Sequence, residues 1–300
     1  MTSRRSFLRD SAMLSAGLLL TTSSPASLKS RLAREKLIGL QLYTVRDAMQ
    51  TDAASTLAHV AKIGYNSVEG ASYTGNELFY KLDAKAFSVL LRQNGLVMPS
   101  SHYRLGEEAS GGGETKGTLM HDWGKAVEDA SHVGIKYMVC AFLSPGERGD
   151  LEHYKRTAEA FNKAGETCKK AGIQLCYHNH DFEFIPQNGQ YPYEILLNRT
   201  DHNLVKMEID LYWLTKANQD PIALINKYPG RFPLWHIKDM DKTPSRMFTE
   251  VGNGTIDFKK IFTHADKAGL KYFFVEQDHC PGDPFVSITQ SFNYISKNLV

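Results

Sequence analysis

The chain has 300 residues, of which 42% are hydrophobic and 23% are charged, and its formal net charge is +2. This composition is typical of a globular protein and excludes a disordered, collagen-like or coiled-coil chain. Arg4, Arg5 and Arg9 against Asp10 already give the first 26 residues a charge of +2, so the remainder is close to neutral. We therefore expect no nucleic-acid partner, because such a partner needs a basic surface.

The N-terminal segment has its features in the order found in an export signal. Residues 3–9 read SRRSFLR, an apolar run follows at residues 12–20, and small residues stand at 24–26. This order resembles a twin-arginine signal, although a basic, frayed helix would also fit. We predict a signal peptide at 1–26, a linker at 27–36 and a periplasmic location. The apolar run is too short to span a bilayer, so no stable membrane anchor is expected.

From Leu37 onward, short apolar runs of strand length alternate with amphipathic runs of helix length. The predicted strands are Ile38–Val45, a strand ending at Glu69, Leu96–Tyr103, Lys136–Phe142, Ile173–His180, Leu204–Asp210, Phe232–Asp239 and Lys271–Asp278. The helical patterns between them include Asp52–Ile63, Ala84–Asn94, Leu119–Val133, Leu151–Ala171 and Phe258–Ala268.

Five of these helical patterns end at a glycine that directly precedes the next strand, where a left-handed helix cap is favourable. This repeated βα unit predicts an α/β protein, a single (β/α)8 TIM barrel over residues 37–300. A doubly wound open sheet is the alternative, but the first βα turn lacks a glycine-rich phosphate loop. The glycine-rich segment Gly106–Gly117 is either a mobile loop at the mouth of the barrel or a surface insertion without a role.

Residues able to bind metal or move protons stand at the predicted strand ends. They are Glu69, His102, His178, His180, Asp210, His236 and Glu276. In a barrel of this kind the carboxyl ends of the strands converge on one mouth. Mixed imidazole and carboxylate ligands suit a divalent ion such as Mn, Co, Zn or Mg, and Asp210, His236 and Glu276 would leave positions open for a further ligand and for substrate.

An ordered set of segments carries a family resemblance: GLQLYTVRD, YHNHDFEF, MEIDLYWL, GRFPLWHIKDMD and VGNGTIDF before FFVEQD. Together they resemble the xylose isomerase-like barrel superfamily, in its branch of sugar isomerases and epimerases, which also includes endonuclease-type barrels. The resemblance implies a divalent metal at the barrel mouth that binds adjacent oxygens of a sugar and aids removal of a proton beside a carbonyl. It assigns Asp210, His236 and Glu276 as metal ligands.

His178 falls where many epimerases of this superfamily have a glutamate. A symmetric mechanism with two glutamate bases is therefore in doubt, and His178 is predicted as the fourth ligand. Glu183 is the alternative if the strand end bends inward.

We predict catalytic roles for Glu276, His178, Lys238 and His180. Lys238 lies two residues after His236 and so faces the same side of the strand; it either holds a substrate oxygen or forms a salt bridge with Asp210 or Glu208. Substrate-binding roles are predicted for the following residues: Glu69, His102, Trp213 and Tyr43. Trp235 and Phe142 are further candidates for apolar walls, although core packing is an alternative for each aromatic residue.

The predicted function is a metal-dependent enzyme that abstracts a proton next to the carbonyl of a sugar or keto-glycoside, giving isomerisation, epimerisation or β-elimination. A periplasmic location makes a sugar phosphate a less suitable substrate. The alternatives are an endonuclease-like barrel and a non-catalytic carbohydrate-binding barrel. The expected partner is a small sugar, and a homo-oligomer remains open.

Overall fold

The computed structural model describes residues 37–71, 73–106 and 116–300. In this part of the chain, eight parallel strands form a closed barrel, each paired with its neighbours in chain order and the last with the first. The strands are β1 (Gly39–Gln41), β2 (Ser67–Gly70), β3 (Val97–Tyr103), β4 (Tyr137–Cys140), β5 (Gln174–His178), β6 (Val205–Asp210), β7 (Leu234–Ile237) and β8 (Tyr272–Val275). The predicted (β/α)8 fold is confirmed.

Most strands are shorter than predicted because the chain turns at the barrel mouth. The predicted strand Ile38–Val45 ends at Gln41 and continues as a 3-10 helix, Leu42–Val45. The Gln41 side chain accepts a hydrogen bond from the backbone N–H of Tyr43 and so caps this turn. Burial of Leu42 and Val45 in the turn imitates the apolar pattern of a strand.

Helices follow the strands and surround the barrel. Their bounds are Arg46–Thr51, Ala53–Ile63, Ala84–Gln93, Trp123–Val133, Leu151–Lys170, Pro192–Arg199, Leu211–Lys216, Pro221–Lys227, Phe258–Phe262, Ala265–Ala268 and Pro284–Asn298. Further 3-10 turns are Pro145–Glu147 and Phe182–Phe184. The pattern predicted as one helix over Phe258–Ala268 is two short helices, since the first ends at Phe262. Gly134 and Gly269 adopt the left-handed conformation that the helix–glycine–strand pattern predicted.

Two short hairpins accompany the barrel: Tyr73–Thr74 with Leu78–Phe79, and Asp239–Met240 with Phe248–Thr249. The second hairpin starts directly after β7 and its following lysine, so it lies at the carboxyl end of the barrel, where the predicted site residues also lie.

The inside of the barrel changes from apolar to polar along the strands. An apolar cluster fills its amino-terminal part, formed by Val139, Cys176, Leu234 and Phe274. Two residues further along three of these strands stand His178, His236 and Glu276, which face the same side because side chains alternate along a strand. The polar residues therefore lie above an apolar floor, near the barrel mouth.

None of the helices within the described ranges has both the length and the apolar character needed to cross a bilayer. The predicted signal peptide and linker, and residues 107–115 of the glycine-rich segment, lie outside the described residues.

Candidate functional site

Asp210 is the last residue of β6 and also caps the helix that follows. Its Oδ1 accepts a hydrogen bond of 2.8 Å from the backbone N–H of Trp213. A strand that leads straight into a capped helix fixes the carboxylate at the barrel mouth. Only Oδ1 is used by the cap, so Oδ2 remains for the site.

Asp210, His236 and Glu276 form what we call the mouth group. One ligand atom from each lies within 4.8 Å of the others, and all three residues are buried. His236 Nδ1 is 2.8 Å from Glu276 Oε2 and 3.9 Å from Asp210 Oδ2. The structure thus brings together the three ligands that the sequence predicted on successive strands.

Lys238 inserts its ammonium group among the carboxylates of this end of the barrel. Its Nζ lies 3.0 Å from Asp210 Oδ2, 2.5 Å from Glu276 Oε2 and 2.8 Å from Asp278 Oδ1. Burial alone would lower the pKa of Lys238, but the surrounding carboxylates raise it well above its ordinary value. The side chain is therefore a fixed positive charge, and of the two predicted roles the salt bridge to Asp210 is present.

A second set of side chains lies below the mouth group; we call it the deep group. It consists of Glu69, His102, His178 and Glu208, and His236 reaches it through its other ring nitrogen. Glu208 Oε2 is 2.9 Å from His102 Nε2, 3.0 Å from His178 Nδ1 and 3.3 Å from His236 Nε2. Glu69 and His102, predicted to bind substrate at the rim, are thus held lower in the barrel by ionisable neighbours.

His178 faces both groups. While its Nδ1 contacts Glu208, its Nε2 lies 3.6 Å from Asp210 Oδ2. Burial, reinforced by the nearby His236, lowers the pKa of His178 well below its ordinary value. A neutral imidazole is the form that binds a metal ion, so the predicted ligand role is compatible with the surroundings of His178.

The donors of the mouth group fit a divalent ion. Asp210 Oδ2 is buried without a hydrogen bond, although the Lys238 ammonium lies near it. Carboxylate oxygen and imidazole nitrogen are ligands shared by Zn, Mn and Co, and the single Lys238 ammonium offsets only part of the negative charge of the three carboxylates around it. Asp210, His236 and Glu276 could therefore hold a metal.

Aromatic rings line the mouth beside these residues. The ring centroid of Trp213 is 5.4 Å from that of His180 and 5.5 Å from that of Phe248. Trp213 Nε1 and His180 Nδ1 are buried and have no hydrogen-bond partner among the described residues. Burial, together with the positive charge of Lys238, lowers the pKa of His180 to about 3, so its imidazole is neutral at physiological pH. Both groups are free to bind a hydroxylated ligand.

The other predicted aromatic residues differ in their surroundings. Phe142 is 42% exposed and its ring meets those of His180 and Phe182. Tyr43 is 43% exposed at the rim, and its ring packs against the Arg46 guanidinium. The interpretation of Trp235 as a sugar-stacking wall is wrong. It points away from the barrel interior, donates to the carbonyl of Phe232 and packs on Phe262.

The alternative that Glu183 replaces His178 as ligand is also wrong. Both Glu183 oxygens are engaged outside the mouth group: one accepts from the Tyr177 hydroxyl and the other from the His180 N–H at 2.9 Å. Tyr177 is the residue next to His178 on β5 and so faces the opposite side of the strand. Glu183 therefore stabilises the loop after β5.

Sequence reasoning missed the polar residues Gln41 and Asp278 of this region, and it named Glu208 only as a possible salt-bridge partner of Lys238. Gln41 Nε2 donates to Glu69 Oε2 at 2.8 Å. The signal for Glu208 was its spacing, because it stands two residues before Asp210 on β6 and must face the same side. Asp278 has the same spacing from Glu276, but both residues follow the end of β8 at Val275, so the alternation of side chains along a strand does not place Asp278.

A family profile described as "Xylose isomerase-like TIM barrel" matches residues 57–291. This match covers most of the chain. The chain belongs to the xylose isomerase-like TIM barrel family. Membership in this family agrees with the closed barrel and with the resemblance seen in the sequence.

The chain is similar to a curated protein and to a solved structure. The inosose dehydratase of Clostridium beijerinckii is 28% identical over 165 residues, which are 49% of this chain and 55% of that protein. The chain thus spans about half the length of the curated relatives it matches. A sugar phosphate isomerase/epimerase of Parabacteroides distasonis has a solved structure with 29% identity and a TM-score of 0.74, covering 87% of this chain and 93% of that one.

The zinc-containing structure of the IolI protein shares the fold. It has a TM-score of 0.67 at 14% identity, and the alignment covers 88% of this chain and 99% of that one. At this identity the likeness concerns the fold alone.

Proposed function

We propose that the protein is a divalent-metal-dependent enzyme that removes a proton next to the carbonyl of a keto-sugar or keto-glycoside and then eliminates a β-substituent. The observation that carries this proposal is the mouth group itself, three buried ligands from β6, β7 and the end of β8 beside a buried lysine. The curated relative named as a dehydratase supports elimination, because loss of water is a β-elimination of this kind.

A metal ion held by Asp210, His236 and Glu276 would act as a Lewis acid on the substrate carbonyl and make the neighbouring C–H bond more acidic. His178 Nε2, 3.6 Å from Asp210 Oδ2, is the side chain proposed for a fourth position there.

Proton removal in this proposal falls to Glu276. Burial would raise the pKa of the Glu276 carboxylate, but Lys238 and His236 together lower it, so the group is ionised and can accept a proton. Lys238, which stays protonated, donates a hydrogen bond to an oxygen that gains negative charge. Neutral His180 hydrogen-bonds the leaving oxygen, which departs with the proton that Glu276 removed.

Elimination is preferred to symmetric epimerisation because the groups at the mouth are unequal. An epimerase of the two-base type needs a second carboxylate opposite the first. Glu183 is held by Tyr177 and His180 outside the mouth group. A carboxylate opposed by an imidazole and an ammonium group suits removal of a proton at one atom and its delivery to another.

The test is incubation of the metal-loaded protein with cyclic polyol ketones, free ketoses and 3-keto-glycosides in deuterated water, followed by mass spectrometry and NMR. Elimination gives an unsaturated product and a released water or alcohol. Deuterium in an otherwise intact substrate would show epimerisation or isomerisation instead. The absence of both deuterium uptake and elimination, with the Glu276→Gln variant as background, would contradict the proposal.

We also propose that the chain is exported by its twin-arginine segment. The support is the order of Arg4 and Arg5, the apolar run and the small residues in the sequence. Replacing both arginines with lysine should keep the protein in the cytoplasm, measured by fractionation beside a marker for each compartment. Equal periplasmic amounts of both forms would contradict export by this route.

A further inference from the structure

In the deep group, more imidazole nitrogens lie close to a carboxylate oxygen than can form hydrogen bonds with it. Three imidazole nitrogens, from His102, His178 and His236, lie between 2.9 and 3.3 Å from the single atom Oε2 of Glu208. A carboxylate oxygen has about two lone-pair directions, and a neutral imidazole has one donor and one acceptor. The three nitrogens cannot all donate to this oxygen in good geometry.

Glu69 repeats the pattern. Its Oε2 is 2.5 Å from His236 Nε2 and 3.2 Å from His102 Nε2, and it also accepts from Gln41 at 2.8 Å. In contrast, Oε1 of Glu69 and Oε1 of Glu208 are buried and accept no hydrogen bond from the part of the chain that the structure describes. In a hydrogen-bond network, the N–H groups would be distributed over all four carboxylate oxygens of Glu69 and Glu208. A bound cation instead draws the nitrogen and oxygen atoms of its ligands toward one point.

The charges of the deep group also differ from those of the mouth group. Lys238 offsets the carboxylates of the mouth group. Within the described ranges, the ion pairs of Glu69 and Glu208 are formed with histidines. When the imidazoles are in the neutral form that binds a metal ion, the two buried carboxylates carry a charge of −2, which a divalent ion would neutralise.

We infer that the deep group is a second metal site, in which His102, His178 and Glu208, supported by Glu69, bind a transition metal ion below the mouth group. One ligand atom from each of His102, His178, Glu208 and His236 lies within 4.8 Å of the others. Ions such as Zn²⁺ and Co²⁺ bind imidazole nitrogen at about 2.0–2.1 Å, which places neighbouring ligands roughly 3 Å apart, close to the observed separations.

The two sites divide the ligands between them. His236 serves the mouth group through Nδ1, 2.8 Å from Glu276 Oε2, and its Nε2–H then donates to Glu69 Oε2. His178 serves the deep site through Nδ1, which is nearer to Glu208 than Nε2 is to Asp210. When the deep ion is bound, His178 is therefore its ligand, and a substrate oxygen takes the fourth mouth position that His178 Nε2 would fill if the mouth ion were bound alone.

The test is the number of ions per folded chain. The full chain is stripped with a chelator, dialysed against Zn²⁺ or Co²⁺ and analysed by elemental mass spectrometry and by the visible spectrum of the bound Co²⁺. The wild-type protein should bind two ions. The mouth variant, Asp210→Asn with Glu276→Gln, should keep one, and the deep variant, His102→Gln with Glu208→Gln, should also keep one, with a different Co²⁺ spectrum.

His180→Gln is the matched control, since His180 belongs to neither group although its ring centroid is 5.1 Å from that of His178; it should keep both ions. His178→Gln should lose the deep ion alone. If the deep double variant does not fold, as judged by circular dichroism, the single His102→Gln variant replaces it, because His102 is the group's most exposed side chain.

One ion in the wild-type protein, lost in the mouth variant and kept in the deep variant, would overturn the inference. The deep side chains would then only orient His178 and His236 for the mouth ion. The proposed function survives that result, because it requires the mouth ion. An ion kept in the mouth variant and lost in the deep variant would support the second site whatever the activity assay gives.

Discussion

The ammonium group of Lys238 lies 3.0 Å from Oδ2 of Asp210, with both side chains almost completely buried. A buried charge without its partner is strongly destabilising, typically by 3–5 kcal/mol. We expect Lys238→Met to lower the free energy of unfolding by about 3–5 kcal/mol in the presence of a chelator, because three carboxylates then lose their counter-charge. Urea unfolding followed by circular dichroism measures this change.

Lys227→Met is the matched control. Lys227 pairs with Glu194 on the surface, where the lysine side chain is 57% exposed, and such pairs contribute at most about 1 kcal/mol. Similar losses in the two variants would show that Lys238 does not offset the buried carboxylates.

Glu183 should make stability depend on pH. Burial raises its pKa from 4.5 to about 7. The folded protein therefore holds this proton at pH values where the unfolded chain has released it. The stabilising effect of protonated Glu183 is complete below pH 4.5 and is lost as the pH rises to about 7, a total of about 3 kcal/mol.

Glu183→Gln cannot ionise and should remove this part of the pH dependence. Urea unfolding of both proteins over that pH range, in the same buffer series, measures the difference between them. A difference that stays constant with pH would be incompatible with a raised pKa at Glu183.

The loop after the second hairpin depends on the Asp239 carboxylate. Asp239 accepts hydrogen bonds from the backbone N–H groups of Gly252, Gly254 and Ile256. A Cβ atom at Gly254 would lie 2.2 Å from Asp239 Oδ1 and 2.3 Å from the Met240 carbonyl oxygen. We expect Gly254→Ala to destabilise the protein by about 1–3 kcal/mol, measured as a lower thermal midpoint.

Gly124→Ala is the control for that substitution. Gly124 lies within the helix Trp123–Val133, and a Cβ there meets no atom within 4 Å. Alanine is favoured over glycine inside a helix by roughly 0.5–1 kcal/mol, so this variant should be slightly more stable than the wild type. A thermal midpoint for Gly254→Ala equal to that of Gly124→Ala would exclude the close approach.

Trp213 should affect substrate binding more than stability. Its Nε1 has no hydrogen-bond partner and lies beside His180 and Phe248 at the mouth. Trp213→Phe keeps an aromatic ring and removes the donor, so KM should rise about 5–10-fold, as for the loss of a hydrogen bond of about 1 kcal/mol or somewhat more. Steady-state kinetics on the substrate found in the panel would test this, and an unchanged KM would argue against a contact from Nε1.

The barrel fold was predictable because the βα unit repeats along the sequence. Of the site residues, only those at strand ends were predictable. The glycine after five of the predicted helices and the apolar runs identified all eight strands. Asp210, His236 and Glu276 were found because each lies at the end of a strand or within one residue of it. The depth of Glu69 and His102 was not predictable, since it depends on how far neighbouring strands are displaced along the barrel, and this displacement leaves no mark on a single strand. The alternative of Glu183 as fourth ligand stayed open in the sequence for a related reason, because hydrogen bonds from Tyr177 and His180 decide where its side chain points.

The apolar cluster of Val139, Cys176, Leu234 and Phe274 fills the amino-terminal end of the described barrel, so the polar residues above it are approached from the mouth. A metal ion and a substrate would therefore enter through the mouth one after the other. An ion bound between this cluster and the mouth would have to bind before the substrate, and the bound substrate would then block its release. A saturating ligand should therefore slow the extraction of metal by a chelator. The same geometry requires each product to depart before the ion can be exchanged.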